Sequence, residues 1–371
     1  MNSVNSAELE ELRKSVRRFL VDKSAEPEVR RLMASTDGYD RSVWRQMGSD
    51  LGLQGLMIPE RYGGAGYGLN AMSVVLEEMG RALLPAPFFA TVILAANALL
   101  LMDDDGAKND YLPGIASGET IATLALLEQS ARWEPNGIQM IAKKSGDRYT
   151  LDGVKTFVLD GHVANLILVA ARTEADLSLF AVEGNTPELV HTPLATMDQT
   201  RKQSRLHFIG TPARLIGSAG RAEATLHKTL DLAAIALSAE SVGGAQRCLE
   251  MSVDYAKTRV QFGRPIGSFQ AIKHKCATML CEVEASRVAA YRAASASVTD
   301  SVETPIVASL AKAYCSEAYV HCATENIHIH GGIGFTWEHP ANLYYRRAKS
   351  SELLLGGPTY HRELLAQRLG I

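Results

Sequence analysis

Glu240 is the residue whose type and surroundings most directly suggest chemistry. It lies in an otherwise apolar stretch, residues 232–242 (LAAIALSAESV). Because an unpaired carboxylate is costly to bury, such a residue is kept either for a chemical task or because it is paired. A carboxylate tuned by burial can act as a general base. A salt bridge to a basic helix and a hydrogen bond to a backbone group are the alternatives, and all three stay open.

Two further patterns could bind ligands. The glycine-rich stretch 58–66 (IPERYGGAG) could cradle a phosphate, but it lacks the GxxxxGK(S/T) order and no strong strand precedes it. His321, His328 and His330 lie close to Cys322 in the sequence. On a helix this spacing does not converge on one ion, so we predict no metal site.

Helical periodicity governs both ends of the chain. Apolar residues recur at spacings of three and four up to about residue 117, and the apolar run 88–102 is too short to span a bilayer. That run therefore predicts a buried helix. Near the C-terminus, the long segments 222–259, 268–296 and 305–330 predict a bundle of antiparallel helices.

The middle of the chain is built differently. Between residues 119 and 217, short runs rich in Thr, Val, Ile and Leu are separated by turn signals such as Asp152-Gly153. Examples of such runs, which predict strands, are 120–126, 137–143, 149–159, 165–172 and 177–182. Short strands without helices between them indicate an antiparallel sheet or a small barrel. We therefore predict an α+β fold whose parts are an N-terminal helical domain (1–118), a middle antiparallel β domain (119–217) and a C-terminal bundle of four or more helices (218–371).

The bulk properties exclude several classes of protein. The 371 residues, 46% of them hydrophobic and 21% charged, suit a globular protein of two or three domains. A net charge of -3 gives no reason to expect a nucleic acid or an anionic membrane as partner. The N-terminus has no apolar core of a signal peptide, and the five cysteines form no CxxC pair. We therefore expect a cytoplasmic protein with buried free thiols.

Three ordered motifs carry a family resemblance. Residues 255–270 (YAKTRVQFGRPIGSFQ) match the pattern Y-x-x-x-R-x-x-F-G-x-x-(I/L)-x-x-x-Q, and residues 328–335 (HIHGGIGF) are similar to Q-x-x-G-G-x-G-(F/Y). Residues 58–66 contain P-E-x-Y-G-G-x-G. With the order of helical, β and helical blocks, these motifs resemble the acyl-CoA dehydrogenases over most of the chain.

The resemblance implies FAD as the cofactor and names its contacts. In relatives, the R-x-x-F segment of one subunit reaches across a dimer to the FAD of its neighbour. Arg259 would hold the pyrophosphate, Phe262 would pack on a flavin or adenine ring, and Gly263 would allow close backbone approach. The other implied contacts are Gln270, to adenine or ribose, and His328, Gly331 and Gly332 of the second motif, whose main-chain N–H groups would approach the pyrophosphate. Taken alone, Arg259 is also typical of a helix C-cap.

The catalytic base of the family is missing from its usual positions. Relatives remove a proton from the substrate α-carbon and a hydride from the β-carbon, which requires a carboxylate beside the thioester. Most place this Glu near the C-terminus, where the present chain has Leu355. Others place it on the first long C-terminal helix, where the register gives Ala233-Ala234. Glu240 lies two helical turns, about 10 Å, beyond that position and is the remaining candidate.

The β domain also departs from the family pattern. Relatives have T-E-P-x-A-G-S-D where residues 127–134 are LEQSARWE, so Glu128 and Ala131 are retained. Relatives also carry W-I-T, whose Thr binds flavin N5, where residues 157–159 are Phe-Val-Leu. Leu127 and Leu159 have no hydroxyl group, so both losses fall on the groups that surround the flavin ring.

Two functional hypotheses follow from the resemblance. The first is an FAD-dependent subunit that desaturates an acyl-CoA thioester and passes electrons to an acceptor protein. The second is a non-catalytic partner subunit that completes the FAD site of a catalytic paralogue. A helical interaction protein without FAD is a third interpretation. The chain keeps the segment that is given to a neighbour and lacks groups for its own site. We therefore expect an oligomer, with an α2β2 heterotetramer favoured over a homodimer or other homo-oligomer.

Overall fold

A computed structural model describes residues 5–146 and 148–371 of the chain, which fold into two compact units. The first unit consists of Arg31–Gly68 and Pro85–Ala233, and the second of the described residues up to Arg30, Leu69–Leu84 and Ala234–Ile371. The domain boundaries near residues 118 and 217 stay a prediction.

The helices of the chain are α1 (Ser6–Lys23), α2 (Glu26–Ala34), α3 (Arg41–Ser49), α4 (Leu69–Arg81), α5 (Ala96–Leu101), α6 (Asp105–Ser117), α7 (Glu223–Thr258), α8 (Gln270–Val298), α9 (Thr304–His330), α10 (Gly332–Phe335), α11 (Ala341–Leu353) and α12 (Pro358–Leu369). A π-helical segment, Phe89–Ala95, runs directly into α5. The apolar run 88–102 is thus helical and almost wholly buried, as predicted. Within the described ranges, no helix is both long and apolar enough to cross a membrane.

The strands all belong to the first unit except for one short hairpin. They are β1 (Ala122–Ala125), β2 (Ile141–Ser145), β3 (Arg148–Leu159), β4 (Leu166–Thr173), β5 (Asp176–Glu183), β6 (Leu189–Pro193), β7 (Gln203–Ile216), and the hairpin strands β8 (Val260–Gln261) and β9 (Arg264–Pro265). Pairing runs from β2 through β3, β7, β5 and β4 and returns to β2, so these five strands close into a small barrel. β1 extends it beside β4, and β6 beside β7.

The predicted α+β architecture is confirmed, and two details of the sheet differ. β4 pairs in parallel with β1 and β2, because the chain completes the β2–β3 hairpin before it returns beside β1. The other pairings of the barrel are antiparallel. β6 and β7 lie inside the predicted β block but were not among the runs named from the sequence, although β7 is the longest strand at 14 residues. Its inward residues Ser204, Leu206 and Phe208 alternate with polar ones such as Arg205.

The second unit is organised around α7. Two adjacent glycines inside a helix are unfavourable by about 1 kcal/mol each. A Cβ on Gly243 would lie 1.8 Å from the Glu77 carbonyl oxygen of α4, and a Cβ on Gly244 would lie 2.3 Å from the Tyr319 ring of α9. The glycine pair therefore allows α4 and α9 to pack directly on the α7 backbone.

A buried polar network joins α1, α4 and α8. Glu77 and Glu78 of α4 are almost fully buried. Arg13 donates to Glu78 at 2.9 Å and to Glu77 at 3.1 Å, and Arg17 forms two hydrogen bonds with Glu78. Tyr291 of α8 donates to Glu77 at 2.7 Å. The two carboxylates are thus compensated by partners on two other helices, which fixes α1 against the bundle.

The five cysteines are free thiols, as predicted. Cys248, Cys315 and Cys322 are buried, whereas Cys276 is half-buried and Cys281 is exposed. The expectation of five buried thiols is therefore wrong for these last two, because both lie toward the outer side of α8.

Candidate functional site

The predicted cofactor-binding segment of residues 259–270 forms a compact hairpin. After α7 ends, β8 and β9 pair with Val260 opposite Pro265, and the Arg259 carbonyl accepts a hydrogen bond from Ile266 N at 2.8 Å. A Cβ on Gly267 would lie 2.8 Å from the Ala256 carbonyl oxygen, so glycine allows the hairpin to pack close to α7. The side chains of Arg259 and Gln270 are exposed at its two ends. The structure thus holds this segment in one defined shape that projects from the helices.

Phe262 adopts an unfavourable backbone conformation at the tip of this hairpin. Phe262 and Gly263 have φ values of +54° and +77°, as in the two-residue turns that join tight hairpins. Glycine or asparagine suits the first of these positions, and a residue with a bulky side chain costs about 1–2 kcal/mol there. The Phe262 side chain is nevertheless 90% exposed, with its ring edge-on to Phe269 at 5.9 Å. An exposed aromatic ring in a strained turn is typical of a contact with another molecule.

The second predicted element, at the end of α9, lies at the same end of the helical unit. The rings of Tyr255 in the last turn of α7 and His330 in the last turn of α9 stack at 4.3 Å. Lys275 of α8 forms an ion pair with Glu325 of α9, whose carboxylate also contacts His328 Nδ1 at 3.3 Å. The structure therefore brings together the two motifs, which are about 60 residues apart in the chain.

The glycine pair at the end of α9 has two different roles. Gly331 has φ +69° and ψ −145°, a region that in practice only glycine occupies. Gly332 has no such constraint, and a Cβ built there or on Gly331 would meet no atom within 4 Å. Nothing in the surrounding structure therefore requires glycine at 332, whereas a ligand that approaches the backbone would.

Glu240 is paired inside the helical unit. Its Oε1 accepts a hydrogen bond from Arg347 Nη1 of α11 at 2.6 Å, and the two residues are 6% and 4% exposed. Of the three alternatives from the sequence, this geometry supports the salt bridge to a basic helix. Arg347 was missed as the partner, since the sequence carries no sign that α11 would pack beside this turn of α7.

Leu355, where the family resemblance places a base, lies in a turn that is held by hydrogen bonds. Leu355 is buried with φ +65°, and its carbonyl accepts a hydrogen bond from His361 Nε2 at 2.9 Å. The buried Lys312 ammonium donates to the carbonyls of Glu352 and Gly356, both at 3.1 Å. These contacts fix the backbone around 355, where the side chain is a leucine that cannot accept a proton. At the other family position, Ala233 and Ala234 are also buried and apolar.

His361 makes this turn sensitive to acid. Burial lowers the pKa of His361 from 6.5 to about 4, so the unfolded chain takes up this proton first as the pH falls. The free energy of unfolding should therefore drop by about 3 kcal/mol between roughly pH 6.5 and pH 4 through this group. Denaturant titrations at several pH values should show a shallower pH dependence for His361→Asn. His227→Asn, which changes a half-exposed histidine, should keep the parent's slope. Equal slopes for all three proteins would contradict the assignment.

The β unit contains a buried ion pair that was not predicted from the sequence. Lys155 is fully buried and donates to Glu128 Oε1 at 2.8 Å and to the Leu126 carbonyl at 3.1 Å. Glu128 also accepts the N–H groups of Gln139 and Met140. Burial lowers the pKa of Lys155 to about 8 against the opposing effect of Glu128. Burial would raise the pKa of Glu128, but Lys155 and the two N–H groups hold it below its usual range. Strand alternation from Leu151 predicts an inward Lys155 and could have revealed the pair.

Leu127 and Leu159 are packed inward rather than presented to a ligand. They are 5% and 3% exposed, and with Leu94 and Trp133 they line an apolar recess of about 10 Å³. That volume is at the lower limit for a single water molecule. A wider hollow of about 640 Å³ lies on the same unit, lined by Glu128, Gln129, Ser130, Gln139, Val154, Thr156, Phe157 and Arg205. The β unit thus offers a polar hollow, while the two family threonine positions are closed by leucine side chains.

In the described part of the chain, no three His, Cys, Asp or Glu side chains are placed to hold a metal ion. His321 instead contacts Glu282 at 2.6 Å, and His330 bonds the Asn326 carbonyl. The arrangement as a whole can present an arginine, an aromatic ring and an open glycine backbone to a ligand or a second chain.

Comparison with protein families agrees with this fold and these motifs. Residues 6–119 match the model of the acyl-CoA dehydrogenase N-terminal domain, and residues 224–370 match that of the C-terminal domain. The chain belongs to the acyl-CoA dehydrogenase family, which consists of flavoprotein oxidoreductases of lipid metabolism and is in general FAD-dependent.

Individual relatives extend over nearly the whole chain. Acyl-CoA dehydrogenase IpdE2 of Mycobacterium tuberculosis is 37% identical over 354 residues, 95% of this chain and 94% of the relative. A variant of the Tcur3481–Tcur3483 steroid ACAD has 32% identity and a TM-score of 0.89, with 98% of each chain covered. The ChsE4–ChsE5 complex from Mycobacterium tuberculosis has 29% identity and a TM-score of 0.89, with 100% and 99% covered. At the level of the family, these relatives support dehydrogenation of acyl-CoA.

Proposed function

We propose that this chain is the non-catalytic partner subunit of a heteromeric acyl-CoA dehydrogenase. In this role it completes the FAD site of a catalytic paralogue with the hairpin around Arg259 and Phe262. One observation carries the proposal. The tip of the hairpin has an exposed aromatic ring on a strained backbone, whereas position 355, where the family has its base, holds a buried leucine in a fixed turn. The chain thus retains the part of the site that is given away and lacks the part that performs proton transfer.

The residues around the hairpin suit the chemical groups of FAD. Arg259 offers a guanidinium for the pyrophosphate. The Gly331 N–H is bonded to the Ile327 carbonyl, so at the open backbone of Gly331-Gly332 the N–H of Gly332 is the group proposed to approach the pyrophosphate. Phe262 offers an exposed ring against which a flat heterocycle can stack. When bound, FAD supplies the hydride acceptor for desaturation. Gln270, exposed at the start of α8, is proposed to bind the adenosine part.

A catalytic paralogue would supply what this chain lacks. It would need a carboxylate base, and side-chain hydroxyls where this chain has Leu127 and Leu159. Glu240 is not proposed as the base, because its carboxylate is bonded to the Arg347 guanidinium in the core. One FAD per heterodimer, and two per α2β2 tetramer, follow from this division of labour.

The names of the structural neighbours suggest the substrate class. One is the Tcur3481–Tcur3483 steroid ACAD, and another is the ChsE4–ChsE5 complex. We extend the two-chain assembly and the steroid-derived acyl-CoA substrate to this protein. Electrons would pass on to an acceptor protein, as an electron transferring flavoprotein is named among the neighbours.

The test is to purify the chain alone and after co-expression with a catalytic paralogue. We expect the chain alone to hold far less than one FAD per chain and to show no acyl-CoA-dependent reduction of a dye acceptor. The co-expressed protein should have the mass of an α2β2 tetramer, carry one FAD per heterodimer and be active. Absorbance in the flavin bands, mass photometry and the dye assay provide these measurements.

A variant of the hairpin separates assembly from cofactor binding. Co-expression with a Phe262→Ala variant should give less flavin without unfolding of either chain, since this side chain is exposed. A yellow, fully active homo-oligomer of this chain with one FAD per chain would contradict the proposal and establish the self-sufficient enzyme instead.

A further inference from the structure

A second cavity, of about 330 Å³, opens in the helical unit. Its walls come from α1, the start of α2, the end of α4, α7 and α11. The lining contains no residue of the hairpin, of the glycine pair or of the turn at 355. The cavity is therefore distinct from the proposed FAD contacts, and its volume is at the lower end of the range for small-molecule sites.

The body of this cavity is apolar. Leu20, Val29, Leu83 and Leu343 are each almost fully buried and line it together with Met251. Leu83 follows the end of α4 with φ +49°, where glycine or asparagine is favoured and another residue costs about 1–2 kcal/mol. A glycine there would relieve this strain but would remove part of the apolar wall. The leucine thus maintains the cavity lining at the expense of backbone conformation.

The polar side of the cavity carries a net positive charge around Arg81 and Arg247, since the carboxylate of Glu26, which also lines it, is paired with Arg30 at 2.8 Å. Arg81 forms two hydrogen bonds with the Glu250 carboxylate, at 2.6 and 2.5 Å, and Arg247 Nη1 contacts the same carboxylate at 3.4 Å. Two guanidinium groups therefore share one carboxylate, and the three residues together carry one positive charge. Arg17, which also lines the cavity, is balanced by two hydrogen bonds to the buried Glu78.

Arg247 is the group best placed to bind an anion. Its side chain is 37% exposed, whereas that of Arg81 is 22% exposed and already forms a two-bond pair. Tyr344 lines the cavity beside it, and its hydroxyl donates to the Arg81 carbonyl at 2.6 Å and is also a hydrogen-bond partner of Arg247. A carboxylate at Arg247 would compensate the excess charge and gain a charge-assisted hydrogen bond.

We propose that this cavity binds a small amphipathic monocarboxylate, with the carboxylate at Arg247 and an unbranched or cyclic apolar body against the leucine walls. The single excess charge selects a monoanion, and the volume limits the ligand to one such apolar body. This site does not depend on the proposed role as a partner subunit, because its lining belongs to this chain.

Decanoate is a suitable probe for this site. Isothermal titration of the full chain, in whatever assembly it forms, should show saturable binding of one decanoate per chain. Arg247→Gln should weaken this binding by about 10–100-fold, the value of a charge-assisted hydrogen bond. 1-Decanol, which has the same apolar body without the charge, should bind at least about tenfold more weakly than decanoate.

Two matched variants separate the site from general effects. Arg292→Gln removes another arginine of the same unit, one that is 61% exposed, paired with Glu303 at 2.7 Å and outside the cavity lining, and decanoate affinity should stay unchanged. Val21→Glu adds a negative charge at the exposed rim, so it should weaken decanoate binding and strengthen that of decylammonium. Circular dichroism checks that every variant is folded.

Two outcomes would overturn the proposal. One is equal decanoate affinity in the parent and Arg247→Gln, or equal affinity of the parent for decanoate and decanol, since the carboxylate would then not be recognised. The other is absence of saturable decanoate binding by the folded parent. A segment of another protein would then be the alternative occupant of the cavity.

Discussion

FAD retention by the assembled protein should fall by about 10–100-fold when Arg259 is replaced by alanine. A charge-assisted contact with a phosphate contributes about 1.5–3 kcal/mol, which corresponds to this factor. The exposed side chain of Arg259 makes its loss tolerable for the fold, so the effect should appear in cofactor binding and not in stability. The ratio of flavin to protein after gel filtration, and equilibrium dialysis against FAD, measure it.

Arg264→Ala is the matched control for this experiment. Arg264 lies in the same hairpin and is also exposed, but its guanidinium lies over the Phe269 ring at 4.2 Å. We expect this variant to retain much more flavin than Arg259→Ala. Unchanged flavin stoichiometry in Arg259→Ala would show that Arg259 merely ends α7, which is the alternative that the sequence left open.

Replacement of Glu240 by alanine should lower the free energy of unfolding by about 3–5 kcal/mol. The change removes the carboxylate that lies 2.6 Å from the buried Arg347 guanidinium, and breaking a buried ion pair by removal of one partner is strongly destabilising. Glu240→Gln, which keeps the size of the side chain, should leave the activity of the assembled complex within a few-fold. Denaturant titration and steady-state assays of the folded complex measure the two effects.

A double replacement distinguishes a structural from a catalytic Glu240. Glu240→Leu combined with Arg347→Met removes both charges and should recover most of the lost stability. Glu303→Ala, which breaks the exposed pair with Arg292, should cost less than about 1 kcal/mol. If Glu240→Gln instead loses activity by about 100-fold with its stability intact, Glu240 is the general base and the structural assignment is wrong.

Residue identity was sufficient to locate the motifs, but not to show their shape. The pattern from Tyr255 to Gln270 marks the segment, and periodicity places it after a long helix. That Phe262 occupies a left-handed turn with an exposed ring depends on how β8 and β9 pair and how Gly267 packs on α7. The sequence marked the same residues as a ligand-binding motif, but not as a hairpin.

In the sheet, too, the sequence predicted local elements but not the pairing between them. Runs of β-branched and apolar residues predicted five strands because each run carries its own local signal. β7 was not among these runs because its outward positions are polar residues such as Arg205 and His207, so the run contains few consecutive apolar residues. Closure of the barrel through β4 depends on strands far apart in the chain, and no local pattern records such pairing.

By itself, the sequence determined the helical and β blocks, the family motifs and the absence of a carboxylate or hydroxyl at Leu355, Leu127 and Leu159. These features depend on residue type and on neighbours within a few positions. Only the tertiary structure decided that Glu240 pairs with Arg347, 107 residues away, that Lys155 is buried against Glu128, and that five helices enclose a charged cavity. Ion pairs and cavities arise where distant segments meet, and their free energy depends on burial, which no single stretch of sequence specifies.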